Sequence, residues 1–275
     1  MKVDVIIAGG QKCGTTALHH FLGQHSKIIV SNPKEIDYFN YDFNYNKGNS
    51  YYHSFFKHKP FFHKTRGYKL IEATPSYING SLFCDIKQTA ERIKLYNPEI
   101  KIICLVRNPI DRAYSAYNMF KKRYEQGRDN WWFDWFEKRI GYRPVGRRRS
   151  AESYSSFEFF IKEELAWLEE GEIMECPVLL NGKYIEQIKV FREVFNENLI
   201  VVKNELLDKE TEEILNNITK FINVNKIDWN FLKTKKIFVG DYQKNISPFL
   251  MRELEAYYFE SNSKLELLEG IGYNK

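Results

Sequence analysis

A lysine and two threonines surround a glycine turn near the start of the chain, and these residue types could bind an anion together. Residues 9–16 read Gly-Gly-Gln-Lys-Cys-Gly-Thr-Thr. A turn of this kind directs main-chain N–H groups from the start of a helix toward one point, which attracts negative charge. Lys12 adds a mobile cation, and Thr15 and Thr16 add hydroxyl donors. The spacing therefore predicts a cradle for a phosphate or sulfate group.

This turn must be held between a strand and a helix. Residues 3–8 are a short β-branched run typical of a buried strand, and residues 17–22 place apolar side chains at helical spacing. In the common nucleoside-triphosphate loop the lysine follows the last glycine. Here Lys12 precedes Gly14, and no acidic partner for magnesium is evident at a strand end, which argues against an ATP-using kinase. A plain glycine turn with Lys12 in solvent remains the alternative.

A second basic position follows an apolar run at residues 101–106, which predicts a strand that ends at Arg107. Pro109 then begins a helix, and Ser115 lies about two turns into it, in the pattern Arg-(x)7-Ser. A guanidinium can donate two parallel hydrogen bonds to a phosphate. Because Arg-x-Pro at a helix start is common, this pattern gains its meaning from the glycine turn upstream.

A carboxylate follows the short strand predicted at residues 27–30. Glu35 at such a strand end, near a loop that carries a lysine, could take a proton from an attacking hydroxyl or amine. Asp37 is the second candidate for this base. The alternative is an ordinary surface ion pair between Lys34 and Glu35, since such pairs are frequent and weak.

Taken in order, these motifs resemble those of the sulfotransferases, which transfer a sulfuryl group from 3′-phosphoadenosine 5′-phosphosulfate (PAPS). The glycine turn resembles their 5′-phosphosulfate loop, residues 34–39 (Lys-Glu-Ile-Asp-Tyr-Phe) resemble their base segment, and Arg107 with Ser115 resembles their 3′-phosphate site. The resemblance implies that Glu35 is the general base and that Lys12 neutralises charge on the bridging and leaving oxygens. By the same resemblance, the residues that hold the 5′ end of the nucleotide are Lys12, Cys13, Gly14, Thr15, Thr16 and Ala17.

Two segments depart from the family pattern. Residues 72–77 (Glu-Ala-Thr-Pro-Ser-Tyr) resemble a segment of the heparan-type sulfotransferases, but Ala73 stands where those carry a second lysine. In relatives a late loop, often Lys-Gly-Arg, closes over the nucleotide, and that triplet is absent. Lys235, Lys236 and Lys244 are candidates for its role, with Lys236 assigned to the nucleotide.

Short apolar strands alternate with helices along the chain, which predicts the α/β class. We expect one sulfotransferase domain over residues 1–275, with a central mostly parallel sheet, helices on both faces and a P-loop-like nucleotide-binding core. Ligands of such sheets bind at the carboxyl ends of the strands. Residues 121–150 combine tryptophans with arginine and lysine runs and are expected on the acceptor side. They could instead be a mobile or partner-contacting insert with a solvated charge run, or stack on a single nucleic-acid strand.

Composition limits the partners. The net charge is +5 and the pI is about 8.8, which suits an anionic ligand better than it indicates nucleic acid. Four scattered cysteines, no metal-ligand spacing and no apolar run of the about 18 residues that span a membrane predict a cytoplasmic protein without metal. The expected acceptor is a small metabolite or a glycan. A non-enzymatic binder of polyanions remains the alternative of another class, and O- or N-sulfation and the oligomeric state stay open.

Overall fold

Five short apolar runs pair into one β-sheet in the computed structural model of the chain. The residues that the structure describes are 2–56, 67–78, 84–128, 130–171, 174–175, 177–229 and 244–274. The strands are β1 (Val5–Ile7), β2 (Ile28–Val30), β3 (Lys69–Ala73), β4 (Lys101–Val106) and β5 (Leu199–Lys203). They lie in the order β2-β3-β1-β4-β5, and each neighbouring pair is parallel. The prediction of a mostly parallel sheet is confirmed, and all five carboxyl ends lie at one edge.

Helices connect the strands and continue after the last one. They are α1 (Thr15–Leu22), α2 (Asp42–Tyr45), α3 (Gly48–His53), α4 (Ile86–Tyr96), α5 (Pro109–Glu125), α6 (Trp131–Ile140), α7 (Phe157–Glu170), α8 (Tyr184–Phe195), α9 (Asn204–Lys209), α10 (Thr211–Phe221) and α11 (Pro248–Glu269). Single 3-10 turns lie at Pro75–Ile78, Glu152–Tyr154, Leu180–Gly182 and Asn196–Asn198.

Local side chains explain several of these boundaries. Asp85 caps α4, and Ser156 caps α7 by accepting a hydrogen bond from the Phe159 N–H. Asn108 caps α5, whose first residue is Pro109, so the helix begins where the sequence predicts. The sequence predicts a last helix over about residues 249–261, and the end of that prediction is wrong. Helix α11 continues until Gly270, which takes the left-handed φ of 68°.

The sheet is covered on both faces because its side chains alternate. Val5 and Ile7 belong to the apolar cluster that contains α1 and α10, whereas Ile6 and Ala8 belong to the cluster that contains α4. All four side chains are buried. The strands are therefore fixed from both sides, and the loops at their carboxyl ends start from a rigid base.

The aromatic part of the segment at residues 121–150 is packed rather than solvated. Trp132, Phe133 and Phe136 of α6 are buried in a third cluster with α5 and α7. Farther along, the Arg149 guanidinium lies 2.6 Å from the Glu164 carboxylate of α7, and neither side chain is exposed to solvent. The structure thus favours a folded element over a free charge run for these residues.

The buried pair predicts a large and local effect on stability. Replacing Arg149 by Leu leaves the Glu164 carboxylate buried without its partner, so the free energy of unfolding should fall by about 3–5 kcal/mol. Arg147→Leu removes an exposed ion pair with Glu170, in which the side chains are 43% and 48% exposed, and should change it by about 1 kcal/mol or less. Urea unfolding of both variants measures the difference, and equal losses would show that the segment is not anchored here.

Candidate functional site

The loops that leave the carboxyl ends of the strands meet at one edge of the sheet and contact one another. The Arg107 guanidinium, after β4, donates from Nη1 to the Lys12 carbonyl at 3.3 Å. The Glu35 N–H, after β2, donates to the Ala73 carbonyl of β3 at 2.9 Å. The lysine, the carboxylate and the arginine that the sequence singles out are thus brought to the same edge.

Glycine makes the turn after β1 possible. A Cβ on Gly9 would overlap the backbone and Cβ of Leu105 in the neighbouring strand, so the turn packs directly on β4. Gly14 has a φ of 88°, and a Cβ there would meet Asn204 Nδ2. Lys12 itself has a left-handed φ of 68°, which is unfavourable for a residue with a Cβ. Close packing against Leu105 of β4 and against Asn204, which follows β5, therefore holds the turn in this uncommon backbone shape.

The start of α1 remains available for an anion. Its first-turn N–H groups donate no hydrogen bond to a capping side chain, and its first turn, which the structure describes in full, contains no acidic residue. N–H groups at such a helix start carry a partial positive charge. Because the glycine turn leads directly into this helix, main-chain donors and Lys12 belong to one short segment.

Positive charge is concentrated around Lys12. Burial lowers the pKa of Lys12, and the charges of Arg107 and then Arg123 lower it further. These cations come from the turn after β1, the end of β4 and the last turn of α5. A bound anion would relieve their mutual repulsion, so the electrostatics of the edge suit a multiply charged anionic ligand.

The other residues predicted to bind the nucleotide from this turn differ in whether their side chains are accessible to a ligand. Cys13 is fully buried with its Sγ 3.4 Å from the Tyr184 hydroxyl, and burial raises the pKa of the thiol to about 11. It stays neutral and offers only its main chain to a ligand. Thr15 is also buried, whereas Thr16 and Ala17 are half-buried.

The predicted second phosphate site lies along β4 and α5. The Tyr184 hydroxyl donates to the Arg107 carbonyl at 2.9 Å and fixes the main chain there. Ser115 lies in the second turn of α5 and is buried. Lys244 forms an ion pair with Asp111 in the first turn of α5, which places this late lysine beside the same helix. The other two late candidates, Lys235 and Lys236, lie outside the described residues.

The two candidate bases differ in accessibility. The Glu35 side chain is 39% exposed and lies 2.6 Å from Lys34 Nζ, so the ion pair that the sequence left open is present. The Asp37 carboxylate is completely buried and lies 2.5 Å from the Arg139 guanidinium. Ser76 and Asn40 also donate to it. Between the two carboxylates, only Glu35 is open to an incoming acceptor.

Glu72 is a buried glutamate to which the sequence assigns no role. Its hydrogen-bond partners support the segment that carries Glu35. Glu72 of β3 accepts hydrogen bonds from the Thr74 hydroxyl at 2.6 Å, the Tyr77 hydroxyl at 2.8 Å and the Tyr52 hydroxyl at 2.5 Å. The Thr74 and Tyr77 oxygens in turn accept from the N–H groups of Ile36 and Tyr38. Burial raises the pKa of Glu72 to about 7. The resemblance of residues 72–77 to a family segment was the only sequence signal for it.

A model of the family described as "Sulfotransferase domain" matches residues 2–253. The chain therefore belongs to the sulfotransferase family, which confirms the predicted class of enzyme. Among solved structures, a sulfotransferase from Alicyclobacillus acidocaldarius has a TM-score of 0.68 and 24% identity over 99% of this chain and 98% of that one. The mouse sulfotransferase SULT7A1 complexed with PAP has a TM-score of 0.54 and 15% identity over 95% and 84%. These two likenesses show the shared fold.

Two relatives in sequence are longer than this chain. The membrane-associated sulfotransferase kil1 of Dictyostelium discoideum is 23% identical over 95% of this chain and 64% of its own length. A bifunctional heparan sulfate N-deacetylase/N-sulfotransferase 1 of Xenopus laevis is 28% identical over 82% of this chain and 23% of its own length. The chain thus spans under two thirds of the first relative and under a quarter of the second.

Two features are absent from the part of the chain that the structure describes. None of the helices there combines the length and the apolar character that crossing a membrane requires. Likewise, within the described ranges, three or more His, Cys, Asp or Glu side chains do not come together in a way that could hold a metal ion. The predictions that no metal takes part and that the protein is cytoplasmic stay predictions.

The raised pKa of Glu72 predicts a pH dependence of stability. Its folded-state pKa of about 7 lies above its ordinary value of 4.5, so the folded chain retains a proton that the unfolded chain has lost between these values. The resulting stabilisation is complete below pH 4.5 and is lost as the pH rises through about 7, a change of about 3 kcal/mol.

Glu72→Gln isolates this contribution because glutamine does not titrate. Denaturant unfolding from pH 4 to 8 should show that the stability of the unaltered chain, relative to this variant, decreases by that amount with rising pH. Parallel curves for the two proteins would show that the Glu72 carboxyl has an ordinary pKa in the folded chain.

Proposed function

We propose that this chain transfers a sulfuryl group from PAPS to a hydroxyl or amine of a small metabolite or a glycan. The observation that carries the proposal is the contact between the glycine turn and the end of β4, where Arg107 donates to the Lys12 carbonyl. A donor with phosphate groups at both its 5′ and 3′ positions needs two cationic sites a short distance apart. In this proposal, the uncapped start of α1 is the site for the 5′ end of the donor, and Arg107, between β4 and α5, is the site for the 3′-phosphate.

The residues of the edge suit the two ends of the donor. Lys12 would neutralise charge on the bridging and leaving oxygens, with the N–H groups of Gly14, Thr15 and Thr16 around the 5′-phosphate. Cys13 and Ala17 would contribute through their main chain. Arg107 and Ser115 would hold the 3′-phosphate. The Lys236 assignment is kept as part of the proposal on the family pattern alone.

The chemistry then follows from charge and position. The acceptor oxygen or nitrogen attacks sulfur, the bond between sulfur and the 5′-phosphate oxygen breaks, and the acceptor proton passes to Glu35. Charge spreads over the sulfonate oxygens much as in phosphoryl transfer, so the protein contributes mainly orientation and electrostatic stabilisation. The Glu35 carboxylate is exposed and paired with Lys34, and in this scheme it accepts the proton.

The acceptor class rests on the relatives and on the composition. The heparan sulfate N-sulfotransferase, by its name, acts on a glycan amine, and this supports a glycan as one acceptor. We further propose that residues 1–275 act as one domain, that residues 121–150 lie on its acceptor side, and that nucleic acid is not a partner. The cytoplasmic location is part of the same proposal.

The Glu35 carboxylate provides a direct test. Glu35→Gln should lower the rate of transfer from PAPS by about 10²–10⁴-fold, because glutamine cannot accept the acceptor proton. Affinity for 3′,5′-diphosphoadenosine (PAP) should stay within about twofold, since Glu35 lies on the acceptor side. The rate is measured as PAP release with a panel of amine and hydroxyl acceptors that includes N-desulfated heparin.

Glu91→Gln, an exposed carboxylate of α4, is the matched control and should retain full activity. Full activity of Glu35→Gln would remove this residue from the mechanism. Turnover of ATP with magnesium, in place of PAPS, would instead support a kinase. Salt-dependent binding of heparin without any transfer would support a polyanion-binding protein.

A further inference from the structure

The segment that carries the proposed base has a backbone shape that it would not adopt alone. Glu35 has a φ of 67° and Asp37 a φ of 54°, so two residues with a Cβ, only two positions apart, lie in the left-handed region. A Cβ makes that region unfavourable, more so for Glu than for Asp, whose short polar side chain tolerates it better. The surrounding structure must therefore hold residues 35–38, and the question is which contacts do so.

One set of contacts comes from β3 and the turn that follows it. The Glu35 N–H donates to the Ala73 carbonyl at 2.9 Å, and the Ile36 N–H donates to the Thr74 hydroxyl at 3.1 Å. The Tyr38 N–H donates to the Tyr77 hydroxyl, also at 3.1 Å. These contacts hold the main chain of the segment on the sheet side.

A second contact to the segment comes from Arg139 of α6, which lies 102 residues after Asp37 in the chain. Arg139 donates from Nε to Asp37 Oδ2 at 2.5 Å and from Nη1 to the Trp135 carbonyl at 3.2 Å. Its guanidinium carbon lies 4.0 Å from the centre of the Trp135 ring, so the side chain is stacked as well as hydrogen-bonded. The Asp37 side chain is fully buried, and that of Arg139 is 20% exposed.

Helix α6 packs on α2 and on the residue before it. The Phe136 ring lies 6.1 Å from the Tyr41 ring, and a Cβ on Gly141, at the end of the helix, would touch the Phe43 ring. Arg139 is therefore presented from a packed helix, and its position relative to Asp37 is set by the same contacts. A buried carboxylate that loses such a partner is strongly unfavourable, which makes the contact selective for a cation at residue 139.

We infer that Arg139 is a positioning residue for transfer: by holding Asp37 it fixes the left-handed segment that presents Glu35 at the edge of the sheet. The inference rests on the proposed function for the role of Glu35 and goes beyond it in assigning a role to α6. It makes the packing of the tryptophan- and arginine-rich helix a condition for an oriented base. Arg139 acts through Asp37 and does not contact the reacting atoms in this scheme.

Hydrogen exchange tests the mechanical part without any substrate. In Arg139→Gln, amide exchange in peptides that cover residues 35–38 should accelerate by about tenfold or more, while peptides from β1, β4 and α6 keep their protection. Lys138→Gln, an exposed neighbour on the same helix, should leave all peptides unchanged. Unchanged exchange at residues 35–38 in Arg139→Gln would overturn the inference, whatever the chain catalyses.

A double-mutant cycle tests the link to transfer. Arg139→Gln should lower kcat by about tenfold to a hundredfold, with PAP affinity kept, because a small displacement of the base is costly. Arg139→Lys, which keeps the charge, should recover part of the rate. In an Asp37→Asn background, which removes the buried charge, adding Arg139→Gln should cost less than about threefold more.

The two failures are distinguishable. A loss confined to the acceptor KM that persists in the Asp37→Asn background would show direct contact of Arg139 with the acceptor and overturn the positioning role. If the unaltered chain neither binds PAP nor transfers sulfuryl groups, the proposed function fails. The exchange experiment still decides in that case whether Arg139 holds residues 35–38.

Discussion

The parallel pairing of β1 with β3 and β4 is the constraint on which the site depends. Parallel strands end at the same edge, so the glycine turn, the base segment and Arg107 converge although they are far apart in sequence. The absence of a side chain at Gly9 lets the turn lie directly on Leu105. Without that close approach the Lys12 carbonyl could not accept from Arg107, and the glycine turn would lie farther from the end of β4.

Strained backbone and buried polar groups occur together at this edge. Lys12, Glu35 and Asp37 all have positive φ, and each is held by contacts from neighbouring elements. The Glu72 carboxylate accepts hydrogen bonds from the hydroxyls that contact the main chain of residues 35–38. The Arg139 guanidinium donates to Asp37 of the same segment from the side of α6. Residues in disfavoured backbone regions persist where the surroundings hold them, and such places are often functional. The edge thus holds three residues with left-handed φ close to the groups that the proposed function assigns to transfer.

Local pattern predicted much of the fold. The strand at residues 101–106 matches its predicted bounds, because it is an apolar run between clear stop signals. The start of α5 at Pro109 also follows from a single residue and its neighbours. The end of α11 could not be predicted from the falling apolar periodicity, since only Gly270 terminates the helix.

Features of the site that depend on distant partners were not predictable from the sequence. The motifs located the edge through Lys12, Arg107 and Glu35 because each lies within five residues after the end of a strand. The pair between Asp37 and Arg139 joins residues 102 positions apart, and no periodicity links them. In the sequence, Glu72 is a polar residue among the apolar residues of a short strand. Its role as a hydrogen-bond acceptor depends on Tyr52 and Tyr77, which the fold brings beside it. Such contacts are products of the tertiary fold.

Under the proposed function, two cationic sites at one sheet edge bind a nucleotide with separated phosphates. Calorimetry of PAP and of adenosine 5′-monophosphate with the unaltered chain and with Arg107→Ala tests it most directly. Arg107→Ala should weaken PAP binding by about tenfold to a hundredfold and leave binding of the monophosphate nearly unaffected. Equal losses for the two nucleotides, or no heat of PAP binding to the unaltered chain, would contradict it.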